Sequence, residues 1–539
     1  MGRGSLNTGR GRIPSLLLLA ILISPALAFS VVPLVHLAAA ALVDARPARE
    51  YFSARSVETL ANTVMLATAT AAGASVLGCV TGLALGVAKW RGRDAFRLVL
   101  LVPLSLPPYL HAIGWTQLLR SNGLVARTLG DVFGCAPSLP TVYIQSFPGA
   151  IAVLSLAYFP LIALFTEKAL ALVPRSLPEA ARNLGASRWR VYRDVYWPCI
   201  RPAVLSGAAI VALLTASEAG VPTLLKIRVL SFEVLTQLSA FNDVAGAVFL
   251  MAPLLVLGLF ALRIAPILIN IEISDRSSDA FLPLPAVSIG GWWRRMAFTS
   301  LAACIACVLP LGAIIVNALD RDAWSAMAAM AAGPASKSVP YAAAAALISV
   351  GIAVGLSAVL RSHQKRTATL VQAVLVLGFT TPSAMLGLAL LRLYGHPPLS
   401  NVVAPTQLVI AALLTRYQIL AYYAITSSMR QIPERMLEAA AVLGAGRWKR
   451  LVSVELPMIR IPIVVTLTCL FILGVADIGT VILLYPPGGE TLMLALYSIE
   501  ANSPRSYVAV LALFSSALAI TPVLLVGLFL HPPTLKFQI

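Results

Sequence analysis

Apolar and polar positions alternate along this chain in long blocks, not at the short periods of a soluble fold. Apolar runs recur from one end to the other, and a run of about 20 residues crosses a bilayer as a helix. The pattern predicts twelve membrane spans, numbered in chain order, with ends uncertain by several residues. These spans are 13–42, 57–88, 98–119, 143–166, 202–223, 246–268, 296–319, 341–360, 369–393, 405–428, 461–485 and 506–530.

Basic residues are concentrated between spans on one predicted side of the membrane. The clusters are the N-terminal arginines, Lys89 to Arg97, loop 167–201, Arg294 with Arg295, Arg361 to Arg366, and loop 429–460. Cytoplasmic loops are enriched in Lys and Arg, so both termini are expected to be cytoplasmic. The predicted fold class is an all-α polytopic membrane protein.

The N-terminal segment has two interpretations. Arg3, Arg10 and Arg12 precede an apolar run, and Ala26-Leu27-Ala28 resembles a signal-peptidase site. The run continues to about Val43, which is too long for the apolar core of a signal peptide. We therefore expect a retained first span.

Composition excludes several classes of protein. Hydrophobic residues make up 59% of the 539 residues and charged residues 12%, against about 25% charged in soluble domains. The net charge of +18 is spread over separate loops, so the expected partner is the lipid bilayer and not nucleic acid. Cys304 and Cys307 form a CxxC inside an apolar run with no other ligand nearby in sequence, so no metal site is expected.

The two longest cytoplasmic loops are copies of each other. Residues 174–201 and 433–460 align without a gap at an offset of 259 and share 13 of 28 residues. The chain is therefore expected to contain two homologous halves, 1–280 and 281–539, joined by a polar linker at 269–295. Six spans in each half give both halves the same orientation, which makes this a parallel repeat.

The repeated loop reads as a short helix, a turn and a second basic stretch. Glu179 and Glu438 fall in the first turns, where the helix dipole favours negative charge. Gly185 and Gly444 are expected at the C′ positions that end these helices. An ordinary amphipathic connector at the membrane surface is the alternative, but it does not explain why the spacing is preserved in both copies.

The segments EAARNLG and EAAAVLG resemble the EAA loop of binding-protein-dependent ABC importer permeases. In that family the loop is a coupling helix that docks in a groove on the ATP-hydrolysing subunit, and its glycine allows close backbone approach. The resemblance assigns this role to eight residues of this chain. They are Glu179, Ala180, Ala181, Gly185, Glu438, Ala439, Ala440 and Gly444.

The same resemblance implies the partners. The chain has no GxxxxGK[ST] phosphate loop, so ATP would be bound and hydrolysed by a separate subunit and this chain would be no enzyme and hold no cofactor. Two coupling loops imply two copies of the ATPase subunit. The family also implies an extracytoplasmic substrate-binding protein and a bacterial plasma (inner) membrane location.

Three charged residues fall inside predicted spans. Glu218 and Asp477 are again 259 residues apart, and Arg416 lies in span 10 of the second half alone. Intramembrane charges are costly and point to function, so all three are candidate pathway residues. Alternatively, neighbouring helices satisfy each charge. Arg416 is expected to pair for structure, with Asp477 as a partner although their estimated depths differ.

The substrate is less constrained. Residues 483–498 and EAGVPTLL at 218–225 resemble permeases of the ferric-iron group, which makes ferric iron the expected solute. Thiamine, polyamines and phosphonates are alternatives for the same importer type. The alternatives from other classes are an ion-coupled secondary transporter, which would not need the doubled loop, and a membrane-embedded enzyme, for which no nucleophile–base pair is evident.

Overall fold

A computed structural model describes residues 12–43, 54–86, 93–120, 123–134, 144–174, 176–241, 243–269, 298, 301–302, 304–361 and 363–530. The described residues form helices and connecting turns, with no strand among them. Arg3, Arg10, Lys89, Arg91, Arg294, Arg295, nearly all of the predicted linker and the side chains of Cys304 and Cys307 lie outside this description.

The predicted spans correspond to helices. Length and apolar composition allow seven described helices to cross a membrane, or ten when each bent pair counts as one span. Span 6 is a further helix, Val244–Ile269, and span 7 is described from Cys304 to Asn317. The unbroken helices of the other spans are Ala54–Gly86, Phe147–Ala171, Arg321–Leu360, Pro405–Arg430 and Arg505–Leu530.

Spans 1, 5, 7 and 11 each contain a π-helical turn, which in span 7 is Cys304–Val308. Span 1 is built from Arg12–Ala26, Leu27–Val31 and Val32–Val43. Span 5 runs through Arg188–Val191, Tyr192–Tyr196 and Trp197–Ala216. Span 11 runs through Arg447–Arg450, Leu451–Glu455, Leu456–Met458 and Arg460–Ala476, with a bend of 73° before Arg460.

Proline breaks spans 3 and 9 at the same place. Span 3 consists of Arg93–Ser105 and Pro108–Leu119, with a bend of 97° between Val99–Ser105 and Pro108–Val132. Span 9 consists of Lys365–Thr380 and Ser383–Tyr394, bent by 102°. Pro107 (φ −51°, ψ 139°) and Pro382 (φ −53°, ψ 140°) precede the second segments in the same conformation. Proline disfavours helix at the residue before it, which explains why both breaks are sharp.

Spans 5 and 11 end earlier than the hydropathy predicts. Their helices stop at Ala216 and Ala476, so the expectation of helix to 223 and 485 is wrong. Short turns follow at Gly220–Leu224 and Val481–Leu483, and then helices Leu230–Ser239 and Leu492–Glu500. The reason is local hydrogen bonding, which a hydropathy profile does not detect. Glu218 and Asp477 accept backbone N–H groups of the next turn, and a new segment starts there.

Each half has a closely packed helix pair at its centre. In the first half, span 2 packs on span 4, where a Cβ on Gly78 would lie 2.8 Å from the Phe159 carbonyl oxygen. In the second half, span 8 packs on span 10, with Ser357 Oγ 2.6 Å from Thr426 Oγ1. Small residues let helix backbones approach closely in a membrane, where apolar character alone does not select a partner.

The first helix of each half packs against the other half. Tyr394 Oη of span 9 donates to the Ala28 carbonyl of span 1 at 2.9 Å, and the Phe29 and Tyr394 rings are 5.4 Å apart. Span 7 lies on span 3, where a Cβ on Gly114 would be 2.5 Å from Pro310 Cβ. The two halves are thus interlocked by an exchange of outer helices.

Candidate functional site

The two EAA loops fold into the same structure. Their helices are Ser176–Asn183 and Glu434–Val442. Gly185 (φ 79°) and Gly444 (φ 77°) follow them in the left-handed conformation, which favours glycine.

The hydrogen bonds of both turns form a Schellman motif. The N–H groups of Gly185 and Ala186 donate to the Arg182 and Ala181 carbonyls at 2.8 and 3.0 Å. In the second loop, the corresponding donors are Gly444 and Ala445. They donate to the Ala441 and Ala440 carbonyls, both at 3.0 Å. Gly185 and Gly444 are therefore the C′ residues of their helices.

Both loops present apolar side chains to the outside. Leu184 is 88% exposed and Leu443 87%, and Trp189 and Trp448 are exposed as well. Of the eight EAA-loop residues, Ala181 and Ala440 are half-buried and the other six are exposed. Exposed apolar patches of this kind mark contact surfaces.

A buried polar cluster lies near the other end of spans 10 and 11. Arg416 Nε is 3.1 Å from Asp477 Oδ2, and both side chains are almost fully buried. Tyr417 Oη donates to the same oxygen at 2.9 Å. Thr480 donates its backbone N–H to Asp477 Oδ1 at 2.8 Å and its hydroxyl to Oδ2 at 3.1 Å. The pairing of Arg416 with Asp477 predicted from sequence is present, and the difference in estimated depth does not prevent it.

The cluster joins the two halves. Arg416 Nη2 donates to Ser217 Oγ at 3.2 Å, and Ser383 Oγ donates to the Ser217 carbonyl at 3.4 Å. A Cβ on Gly220 would lie 3.0 Å from Tyr109 of span 3 and 3.5 Å from Ile478. The ends of spans 5 and 11 therefore meet at the interface between halves.

Glu218 has a different environment from Asp477. Its Oε1 accepts the N–H groups of Gly220 at 3.0 Å and Val221 at 3.3 Å. Its Oε2 has no hydrogen-bond partner within the part of the chain that the structure describes, and the residue is half-buried. Glu218 is thus open on one side, whereas Asp477 is enclosed by Arg416, Tyr417 and Thr480.

Sequence reasoning identified the three charges but missed their polar neighbours. Tyr417, Thr480 and Ser217 contact them directly. One signal was available for Tyr417. At the 259-residue offset its counterpart is Tyr158, and the same offset places Ala157 opposite Arg416.

Comparison with known proteins identifies the family. Residues 75–270 and again 347–532 match the family described as the binding-protein-dependent transport system inner membrane component. The chain belongs to this family. Because the match occurs once in each half, the permease carries two fused transport domains in one multi-pass inner-membrane chain.

Several relatives are permeases named for phosphonate transport. The 2-aminoethylphosphonate transport system permease protein PhnU of Salmonella typhimurium strain LT2 is 33% identical over 170 residues, 31% of this chain and 59% of the relative. PhnV of Salmonella paratyphi A is 27% identical over 195 residues, 36% of this chain and 70% of the relative. The chain thus spans about 59% of the length of the PhnU protein.

Proposed function

We propose that this permease forms the membrane pathway of an ATP-driven importer and couples to two copies of a separate ATPase subunit through its EAA loops. The observation that carries the proposal is the pair of exposed helices with the same Schellman turn and the same exposed leucine. A repeated surface suits a partner that is present twice. The coupling residues are the eight EAA-loop residues, and the loops and both termini face the cytoplasm.

The proposed solute is a phosphonate of the 2-aminoethylphosphonate class. Relatives of both the PhnU and the PhnV type carry this name, and they give no support to the ferric iron expected from sequence. An extracytoplasmic binding protein would deliver the solute to the interface between the halves. Glu218, Arg416 and Asp477 lie at this interface, Glu218 on its open side.

Uptake in cells tests both the coupling role and the solute. Cells would express this chain with its native ATPase and binding protein and receive radiolabelled 2-aminoethylphosphonate or ferric iron. We expect phosphonate uptake to fall at least tenfold with Glu179→Lys plus Glu438→Lys, because each lysine reverses the charge in a docking helix. Glu58→Lys is the control, since it changes an exposed acid at the opposite end of the bundle.

Other outcomes separate the parts of the proposal. Iron uptake without phosphonate uptake would keep the importer assignment and reject the phosphonate. Transport that continues without the ATPase, or that survives both lysine substitutions, would reject the coupling role and favour an ion-coupled transporter.

A further inference from the structure

The ends of several helices from both halves meet beside Glu218. Tyr109, near the start of helix Pro108–Leu119, contacts Gly220, and its ring lies 5.8 Å from that of Tyr497 in helix Leu492–Glu500. Helix Pro108–Leu119 also packs on Gly220–Leu224 and on the last span, Arg505–Leu530. Successive spans alternate in direction, so these ends lie at the opposite side of the bundle from the EAA loops.

Four basic residues lie on these and adjoining segments, and we call them the basic mouth: Arg120 after helix Pro108–Leu119, Arg127 in the next helix, Leu124–Phe133, Lys226 after Gly220–Leu224, and Arg505 at the start of the last span. Burial raises the pKa of the Glu500 carboxyl, and the positive charges of Arg120 and Lys226 oppose that shift. Arg120 and Arg127 are also close enough to Arg505 to interact with it electrostatically. Arg127 Nη2 donates to Asn317 Oδ1 of the second half at 2.9 Å, which ties the mouth to both halves.

Lys226 occupies a backbone position that favours glycine. Its φ is 59°, and among the described residues it is the one non-glycine residue with a positive φ. Its N–H donates to the Thr223 carbonyl at 3.1 Å and the Ile227 N–H to the Pro222 carbonyl at 2.8 Å. This is the turn that Gly185 and Gly444 form in the EAA loops. A lysine in this strained conformation makes its side chain a candidate for a functional role.

We propose that the basic mouth attracts an anionic solute, such as a phosphonate, to the interface between the halves beside Glu218. This inference rests on the proposed function. The four positive charges outnumber the Glu500 carboxyl among them, and an excess of one sign of charge raises the local concentration of the opposite ion and its rate of arrival. A phosphonate carries the negative charge that such a mouth selects.

Cysteine labelling of the full permease measures this selection without the native solute. In the Glu218→Cys variant, the probes are the anionic 2-sulfonatoethyl and the cationic 2-trimethylammonioethyl methanethiosulfonate reagents. Mass spectrometry of the peptide that contains position 218 separates this label from the native cysteines. Each rate is divided by the rate of the same reagent with a free small thiol, and Val402→Cys, exposed in a loop of the second half, is the reference.

We expect the normalised anionic rate to exceed the cationic rate about tenfold at low salt. The ratio of the anionic to the cationic rate should fall toward one in 1 M salt, where the Debye length is about 3 Å. Lys226→Gly should lower the ratio about fourfold, as expected for one unit charge about 10 Å away in water. Because glycine relieves the backbone at this position, a loss of folding does not explain such a change, and Lys226→Arg should keep the ratio.

Three results would overturn the inference: equal normalised rates at low salt, a ratio that Lys226→Gly leaves unchanged, or no labelling of Glu218→Cys by either reagent. Failure of the proposed function is a separate result, because the uptake assay with the EAA-loop variants detects it whatever the labelling rates are.

Discussion

The two halves of this permease place an acid at the same position and surround it differently. In the second half, the neighbouring residues Arg416 and Tyr417 both contact the Asp477 carboxylate. In the first half the position of Arg416 is Ala157, and no arginine of that half covers the Glu218 carboxylate among the described residues. An arginine in span 10 that has no counterpart in span 4 is thus one difference between the surroundings of the two acids.

The EAA loops, in contrast, have the same structure in both halves. Their turns match bond for bond, although the sequences around them have diverged. The loops therefore have the same structure in both halves, while the surroundings of the two acids differ.

The largest expected effect comes from removing the arginine that encloses Asp477. Arg416→Ala leaves a buried carboxylate without its counter-charge and should destabilise the permease by about 3–5 kcal/mol. Thermal unfolding in detergent measures this. Asp477→Asn added to Arg416→Ala should recover much of the loss, since no unpaired charge then remains.

The matched change in the first half is Glu218→Gln, which keeps an oxygen for the Gly220 and Val221 N–H groups. We expect it to cost less than about 1 kcal/mol. Equal costs for Asp477→Asn and Glu218→Gln would show that the two acids are not in different environments.

An intermediate effect is expected where the outer helices cross between halves. Gly114→Leu would place side-chain atoms against Pro310, whose Cβ and carbonyl oxygen lie 2.5 and 2.6 Å from an added Cβ. Overpacking of this kind costs about 1–3 kcal/mol. Unfolding in detergent should show the loss for Gly114→Leu and not for Gly312→Leu on the facing helix, where no atom lies within 4 Å. A similar loss for both would mean that span 7 does not pack on span 3 as described.

The smallest effect tests the similarity of the loops. Gly185→Ala and Gly444→Ala each force a Cβ into the left-handed conformation, at a cost of about 1 kcal/mol. Hydrogen exchange of the two EAA helices should report equal local destabilisation. Gly446→Ala is the control, because Gly446 has a φ of −62° and no atom within 4 Å. If Gly446→Ala had the same effect, the left-handed turn would not be the cause.

Sequence reasoning reached part of the site for identifiable reasons. The offset of 259 residues connected Glu218 with Asp477 and one EAA loop with the other. The same offset does not connect spans 2 and 3 with their counterparts in the second half. Pro382 lies 275 residues after Pro107, and Ser338 lies 275 residues after Thr63. Thr63 and Ser338 accept the N–H groups of Leu230 and Leu492 at 2.8 and 2.7 Å, so they are structural counterparts. A longer connection between spans 3 and 4 in the first half hides this correspondence.

The ends of spans 5 and 11 were predicted wrongly because hydropathy averages over many residues. A single carboxylate that accepts the N–H groups of the next turn ends the helix without changing that average. The polar neighbours of the charges were missed because hydroxyl groups are common in membrane helices and carry no distinctive spacing.

The sequence by itself predicted an all-helical membrane chain, its duplication and the turn that ends each EAA helix. These properties follow from segments read one at a time: bilayer thickness sets the length of a span, and the need to satisfy every backbone group makes it a helix. Only the tertiary structure decided that each outer helix packs on the opposite half and that Tyr417 and Thr480 complete the enclosure of Asp477 while Glu218 stays open. Lipid-facing and helix-facing surfaces are equally apolar, so the choice of partner depends on shape and on polar contacts between residues far apart in the chain.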